Sequence, residues 1–175
     1  ATGRQLASFP DIPQTTHERN IETVTVAGIA GGMTNGLFAP AGAVTRGQMA
    51  TFLARALDLA PVASGTFSDV AGTAHAGNIN AVAAAGIAGG YSDGTYRPNE
   101  PVSRGQMATF IARALELAPV SEGGFSDVAG TTHAENINAV AAAGIAGGYS
   151  DGTYRPGTEV NRGQMATFIV RGFLG

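Results

Sequence analysis

Val44-Thr45-Arg46-Gly47-Gln48-Met49-Ala50-Thr51-Phe52 returns as Val102-Ser103-Arg104-Gly105-Gln106-Met107-Ala108-Thr109-Phe110 and again as Val160-Asn161-Arg162-Gly163-Gln164-Met165-Ala166-Thr167-Phe168, 58 residues apart each time. Each copy reads as a helix start. Thr, Ser or Asn supplies the N-cap, and Gln three residues later closes a capping box. An Arg therefore falls in the first turn of three equivalent helices, where the helix dipole disfavours a cation. Free N–H donors and a positive dipole end make that position a natural anion site, to which Arg adds a bidentate fork. Arg46, Arg104 and Arg162 are accordingly candidates for binding a carboxylate. The alternative is an ion pair with Asp11, Asp69 or Asp127, or plain solvation.

The repeat extends well beyond this stretch. Phe9, Phe67 and Phe125 share its spacing, as do Asp11, Asp69 and Asp127, His17, His75 and His133, and Gly28, Gly86 and Gly144. Segments 67–111 and 125–169 are identical at 39 of 45 positions, and 9–53 and 67–111 at 23 of 45, so the first copy is the divergent one. Three gapless copies predict three equivalent units on one shared core. The expected boundaries are 1–60, 61–118 and 119–175.

Within a copy, Phe67-Ser68-Asp69-Val70 is an extended or turn entry. A first helix is predicted over about Ala76 to Ala85, with Ile79, Val82 and Ala83 on one face. Gly86 is placed as a left-handed C-cap, with Ile87 supplying the accompanying apolar contact. Gly89-Gly90-Tyr91-Ser92-Asp93-Gly94-Thr95-Tyr96-Arg97-Pro98 reads as a tight turn or small hairpin. The second helix is predicted from Arg104 to Leu117, with a buried stripe at Met107, Phe110, Ile111, Ala114 and Leu115. Arg113 lies near its C-terminus, where a cation suits the dipole, and about 180° around the helix from Arg104. Pro, Ser and Gly in 60–66 and 118–124 mark linkers.

Composition excludes several classes. The net charge is −3, and the ten basic residues are all Arg and dispersed, which is no footprint for nucleic acid. Cys is absent, so there are no disulfides or thiolate metal sites. The longest apolar run, Ala139 to Ala146, is too short to span a bilayer. No signal-peptide pattern stands at Ala1, so an exported protein is expected to be represented here by a mature form or by part of a longer one. No nucleophile motif occurs, and the carboxylates recur symmetrically rather than as one unlike pair, so no enzyme is expected. Ser92-Asp93-Gly94 is too poor in carboxylates for a calcium loop. The three His would bind zinc only by converging on the symmetry axis; capping or packing is the expectation, and no metal or cofactor is predicted.

The order Phe-Ser-Asp-Val, Ala-Ala-Gly-Ile, Gly-Gly-Tyr-Ser-Asp-Gly-Thr-Tyr-Arg-Pro and Val-Ser-Arg-Gly-Gln-Met-Ala resembles the S-layer homology domain, in three copies over nearly the whole chain. The resemblance implies an all-α architecture of three tandem helix-loop-helix repeats in a pseudo-threefold bundle. It implies a module that anchors bacterial surface proteins non-covalently to the cell envelope, outside the cell at the wall or S-layer. Its ligand would be a secondary cell-wall polysaccharide carrying carboxylate as ketal pyruvate, bound in grooves between repeats. Arg46, Arg104 and Arg162 occupy the family's Thr-Arg-Ala-Glu Arg position. Gln48, Gln106 and Gln164 stand where that motif has Glu. Tyr91 and Tyr149 are candidate ring surfaces for sugar, with packing expected for at least one Tyr of each pair with Tyr96 and Tyr154. Arg97 and Arg155 are candidate groove residues. The family's Trp after the first-helix His is replaced by Glu18, Ala76 and Ala134. Because the first copy reads Met33-Thr34-Asn35-Gly36-Leu37-Phe38-Ala39-Pro40, the site of Arg46 is expected to differ from the others. The competing class is structural: self-assembly, or docking to another surface protein, in an S-layer, sheath or filament.

Overall fold

The computed structural model describes residues 9–175. The expectation about a leader at Ala1 and the first eight residues of the 1–60 unit lie outside the described residues. The chain is helical, as expected: α1 (Glu18–Val26), α2 (Arg46–Ala56), α3 (Ala76–Ala84), α4 (Arg104–Ala114), α5 (Ala134–Ala142) and α6 (Arg162–Ile169), closed by a π-helical turn, Val170–Leu174. There is no strand among the described residues. The Tyr91–Thr95 loop is a turn rather than a hairpin. Tyr91 N–H donates to Thr95 O at 2.8 Å, Gly94 N–H to Tyr91 O at 3.0 Å, and Gly94 takes φ +83°.

The three capping boxes form as the sequence predicts. In each of α2, α4 and α6, the N-cap side chain accepts from the Gln backbone N–H, and the Gln side chain accepts from the N-cap N–H. The first helices end on left-handed glycines. Ile87 N–H reaches Val82 O at 2.9 Å and Gly86 N–H reaches Ala83 O at 3.0 Å, the two bonds of a Schellman motif, with Ile87 buried beneath. The second helix is shorter than its apolar stripe suggests. It stops at Ala114 because Glu116 adopts φ +53° and Leu117 N–H turns back to Ala112 O. Nothing in Glu116 announces a left-handed residue, so the stripe runs past the true end.

Each second helix packs on the first helix of the following repeat: α2 on α3, α4 on α5 and, closing the circle, α6 on α1. The starts of α2, α4 and α6 are tied by three cyclic backbone bonds of 2.9 Å: Val44 N–H to Val160 O, Val160 N–H to Val102 O, and Val102 N–H to Val44 O. All three valines are fully buried. The linkers are pinned, not loose. Asn138 Nδ2 donates to Val120 O at 3.1 Å, and its Oδ1 lies against Gly123, where any Cβ would collide with it; Asn80 treats Val62 and Gly65 alike.

Candidate functional site

The pseudo-threefold ring decides what each Arg meets. Arg46 crosses into the second repeat: Nε donates to Tyr96 O at 2.7 Å and Nη2 to Gly89 O at 2.9 Å. Arg104 does the same in the third repeat, to Tyr154 O and Gly147 O. Arg162 returns to the first, to Phe38 O and Gly31 O. The changed first loop therefore faces Arg162, not Arg46, and the expectation about which site differs moves accordingly. The reason is that each Arg reads the loop of the next repeat in space, not the loop that precedes it in the chain.

These arginines are 3–4% exposed, so they are not solvated. Nor do they pair with Asp11, Asp69 or Asp127, which instead clasp the loops: Asp127 accepts the N–H groups of Tyr154 and Arg155, both at 2.8 Å. Those donors hold its carboxyl below the usual range. The buried cations are offset by carbonyl dipoles and ring faces. The Arg46 guanidinium carbon lies 4.4 Å from the Tyr96 centroid and 5.0 Å from that of Tyr91. Burial pushes the Arg162 guanidinium down, while Asp11 opposes this.

The helix N-termini are also not free anion sites. Arg46 N–H is taken by Glu100 O, Gly47 N–H by Pro98 O and Gln48 N–H by Thr45 Oγ1, and α4 and α6 are closed in the same way. What remains for a ligand is side chain. A guanidinium has five N–H groups, so Arg46 keeps three after its two backbone bonds. The capping box uses Gln106 Oε1, which leaves its Nε2 without a protein partner among the described residues.

Arg46 and Gln106 share a groove of about 400 Å³ with the Gly89-Gly90-Tyr91 edge. Thr109, Phe110 and Arg113 of α4 form one wall, Thr132 and His133 of the third repeat the other, and no carboxylate lines it. Arg46, Tyr91 and Gln106, singled out separately in the sequence and drawn from two repeats, thus line one groove, and Arg113, Thr109 and His133, which sequence reasoning did not assign to a site, line it with them. Tyr96 and Tyr154 are wholly buried, the packing members of their pairs. Arg97 does not line the groove. Its guanidinium carbon is 3.8 Å from the Tyr91 centroid, and it pairs with Asp93 at 3.1 Å and Glu100 at 3.5 Å. Arg155 repeats this with Tyr149 at 3.9 Å and Asp151 at 2.9 Å. Both reinforce the ring from the loop side.

The histidines do not converge, and no cluster of three or more His, Cys, Asp or Glu able to hold a metal ion exists among the described residues. Each occupies an N-cap position without capping. Instead, His133 Nδ1 bonds Thr109 Oγ1 at 2.8 Å, and Asn136 Nδ2 donates to the same oxygen at 3.1 Å; His75 and His17 do likewise with Thr51 and Thr167. Burial, then the charge of Arg113, lowers His133 below its ordinary value. These rings also account for the Gly in Arg-Gly-Gln. A Cβ on Gly105 would sit 2.8 Å from His133 Cδ2 and 3.2 Å from Pro156 O, so a side chain there displaces the neighbouring repeat.

The family of S-layer homology domains matches residues 8–50, 66–108 and 124–166. The chain belongs to the S-layer homology domain family. Among curated relatives, it is 30% identical over 152 residues to a cellulosome-anchoring protein of Acetivibrio thermocellus, covering 80% of this chain and 34% of that protein. It is 29% identical over 173 residues to an S-layer protein of Bacillus thuringiensis subsp. finitimus, covering 94% of this chain and 21% of that one. A Bacillus anthracis protein named as an uncharacterized cell wall amidase matches over 86 residues, 48% of this chain and 16% of its own length. The chain thus spans about a third or less of these relatives. Membership makes it a module of the cell surface and cell wall. No described helix is long and apolar enough to cross a membrane.

Proposed function

We propose that this S-layer homology module anchors a surface protein by binding an anionic, pyruvylated cell-wall polysaccharide in its inter-repeat grooves. The observation that carries the reading is the groove of Arg46: guanidinium N–H groups, a free Gln106 amide and the Tyr91 ring face one cavity without a carboxylate. A ketal pyruvate presents one carboxylate, which suits an Arg fork. The Gln in place of the family's Glu keeps the capping box through Oε1 and turns Nε2 into a donor for the glycan. Repeated weak sites on a polymer gain through avidity. The module is an anchor rather than an enzyme; the amidase name describes a relative of which this chain matches a small part.

The test is sedimentation with purified walls before and after removal of pyruvate, using the wild type and Tyr91→Ala. Wild type should co-sediment with pyruvylated walls only, and Tyr91→Ala should bind several-fold more weakly. Equal binding to both wall preparations overturns the carboxylate reading. A concentration-dependent oligomer that ignores walls would assign the module to self-assembly instead.

A further inference from the structure

We propose that Arg113 is the second cation of the Arg46 groove, so that the ligand's acid group is held between guanidinium groups of two different repeats. This rests on the wall-polymer reading above. The two arginines are built for different roles. Arg46 is buried and fixed by two backbone carbonyls, so its remaining N–H groups are preset. Arg113 is exposed in the last turn of α4, and its side chain makes no hydrogen bond or ion pair among the described residues.

Its counterparts are partly committed. Arg55 Nη1 donates to Ile29 O at 3.2 Å, and Arg171 Nη1 approaches Ile145 O at 3.5 Å. Arg113 is therefore the uncommitted member of its set, and it lines a cavity that already holds a buried cation and no counter-charge. Two like charges facing one cavity repel until an anion enters. The neighbouring His133 registers the same field, since Arg113 contributes to lowering it. An anion between the guanidinium groups relieves both effects and gains a charge-assisted bond from each side. Arg46 comes from the first repeat, Arg113 from the second and His133 from the third, so one bound acid group engages all three. Ligand binding should then stabilise the ring as a unit, by linkage.

Arg113 is also a cleaner probe than Arg46, because it bears no scaffold bond. In the full chain, Arg113→Gln should keep the thermal midpoint of the free protein. It should lose affinity for pyruvylated walls by about tenfold, the equivalent of one charge-assisted hydrogen bond. It should also flatten the salt dependence of binding. Arg113→Lys, which keeps the charge and the apolar stem, should recover most of the affinity. A Gln variant as strong as wild type, or a Lys variant as weak as the Gln variant, overturns the proposal while leaving wall anchoring intact. A wild type that does not distinguish pyruvylated from stripped walls overturns the anchoring reading instead.

Discussion

Where Arg46 meets Tyr91 and Tyr96, Arg162 meets Phe38, and Met33 holds the position of Tyr91. Both guanidinium groups make the same two scaffold bonds, to Tyr96 O and Gly89 O in one case and to Phe38 O and Gly31 O in the other. Both stand 4.4 Å from the inner ring, Tyr96 or Phe38. The outer ring is another matter. Tyr91 is clamped between Arg46 and Arg97, whereas Met33 is 42% exposed and the position matching Arg97 is Ala39. The scaffold is written in backbone carbonyls, which any residue supplies whatever its side chain. The ligand-facing rim is written in side chains, which the first repeat has lost. Divergence of the first copy therefore changes a groove without opening the ring.

The sharpest way to break this comparison is to remove the arginines themselves. Arg46→Ala and Arg162→Ala each leave two carbonyls without their charged donor. At roughly 1.5–3 kcal/mol per hydrogen bond to a charged group, each should cost about 3–6 kcal/mol. Urea unfolding of the two variants measures this directly. Equal losses support a common scaffold role; an Arg162 variant near wild-type stability would show that ring closure at the first repeat is dispensable. Either variant loses wall binding through the fold, so these substitutions do not test ligand contact.

The histidines test the equivalence more gently. Each is lowered by burial first and by a neighbouring Arg second: His17 by Arg171, His75 by Arg55, His133 by Arg113. A folded value below the ordinary 6.5 means that the unfolded chain binds more protons just below that pH. Stability is then complete above pH 6.5 and falls as pH drops through it. His75→Gln and His133→Gln should each remove a similar share of this slope, measured by thermal midpoints between pH 5 and 8. Markedly unequal shares would show that the inter-repeat contacts are not equivalent.

Much of this was legible in the sequence, for reasons that can be named. Capping boxes, the Gly86 cap and the Asp93-Gly94 turn are local, so a few adjacent residues determine them. The register between repeats is not local. Nothing near Arg46 says that its partner is Tyr96, 50 residues on, rather than its own loop. The ring closure that sends Arg162 back to Gly31 and Phe38 is equally invisible in one dimension. Arg113 reads as a helix C-terminal cation, and it is one; what a single helix does not show is the groove it shares with another repeat. That groove is also lined by Arg46, delivered by the preceding repeat.

The smallest expected effect addresses the rim alone. Met33→Tyr places a ring where Tyr91 stands in the second repeat, within reach of the Arg162 guanidinium. Met33 is exposed, so the substitution meets no core packing. A cation–π contact at such a site is worth about 0.5–1 kcal/mol, and without an Arg at Ala39 to hold the far side of the ring the gain should lie at the lower end. Stability should therefore rise slightly. Wall affinity should rise only about two- to fivefold, through a third groove that becomes more like the other two. Adding Ala39→Arg to the same chain should bring the rest of the gain, because the new Arg can clamp the ring as Arg97 clamps Tyr91. If the double variant gains nothing over Met33→Tyr, the clamp is not what distinguishes the grooves, and the difference lies in the uncommitted Arg113 against the bonded Arg55.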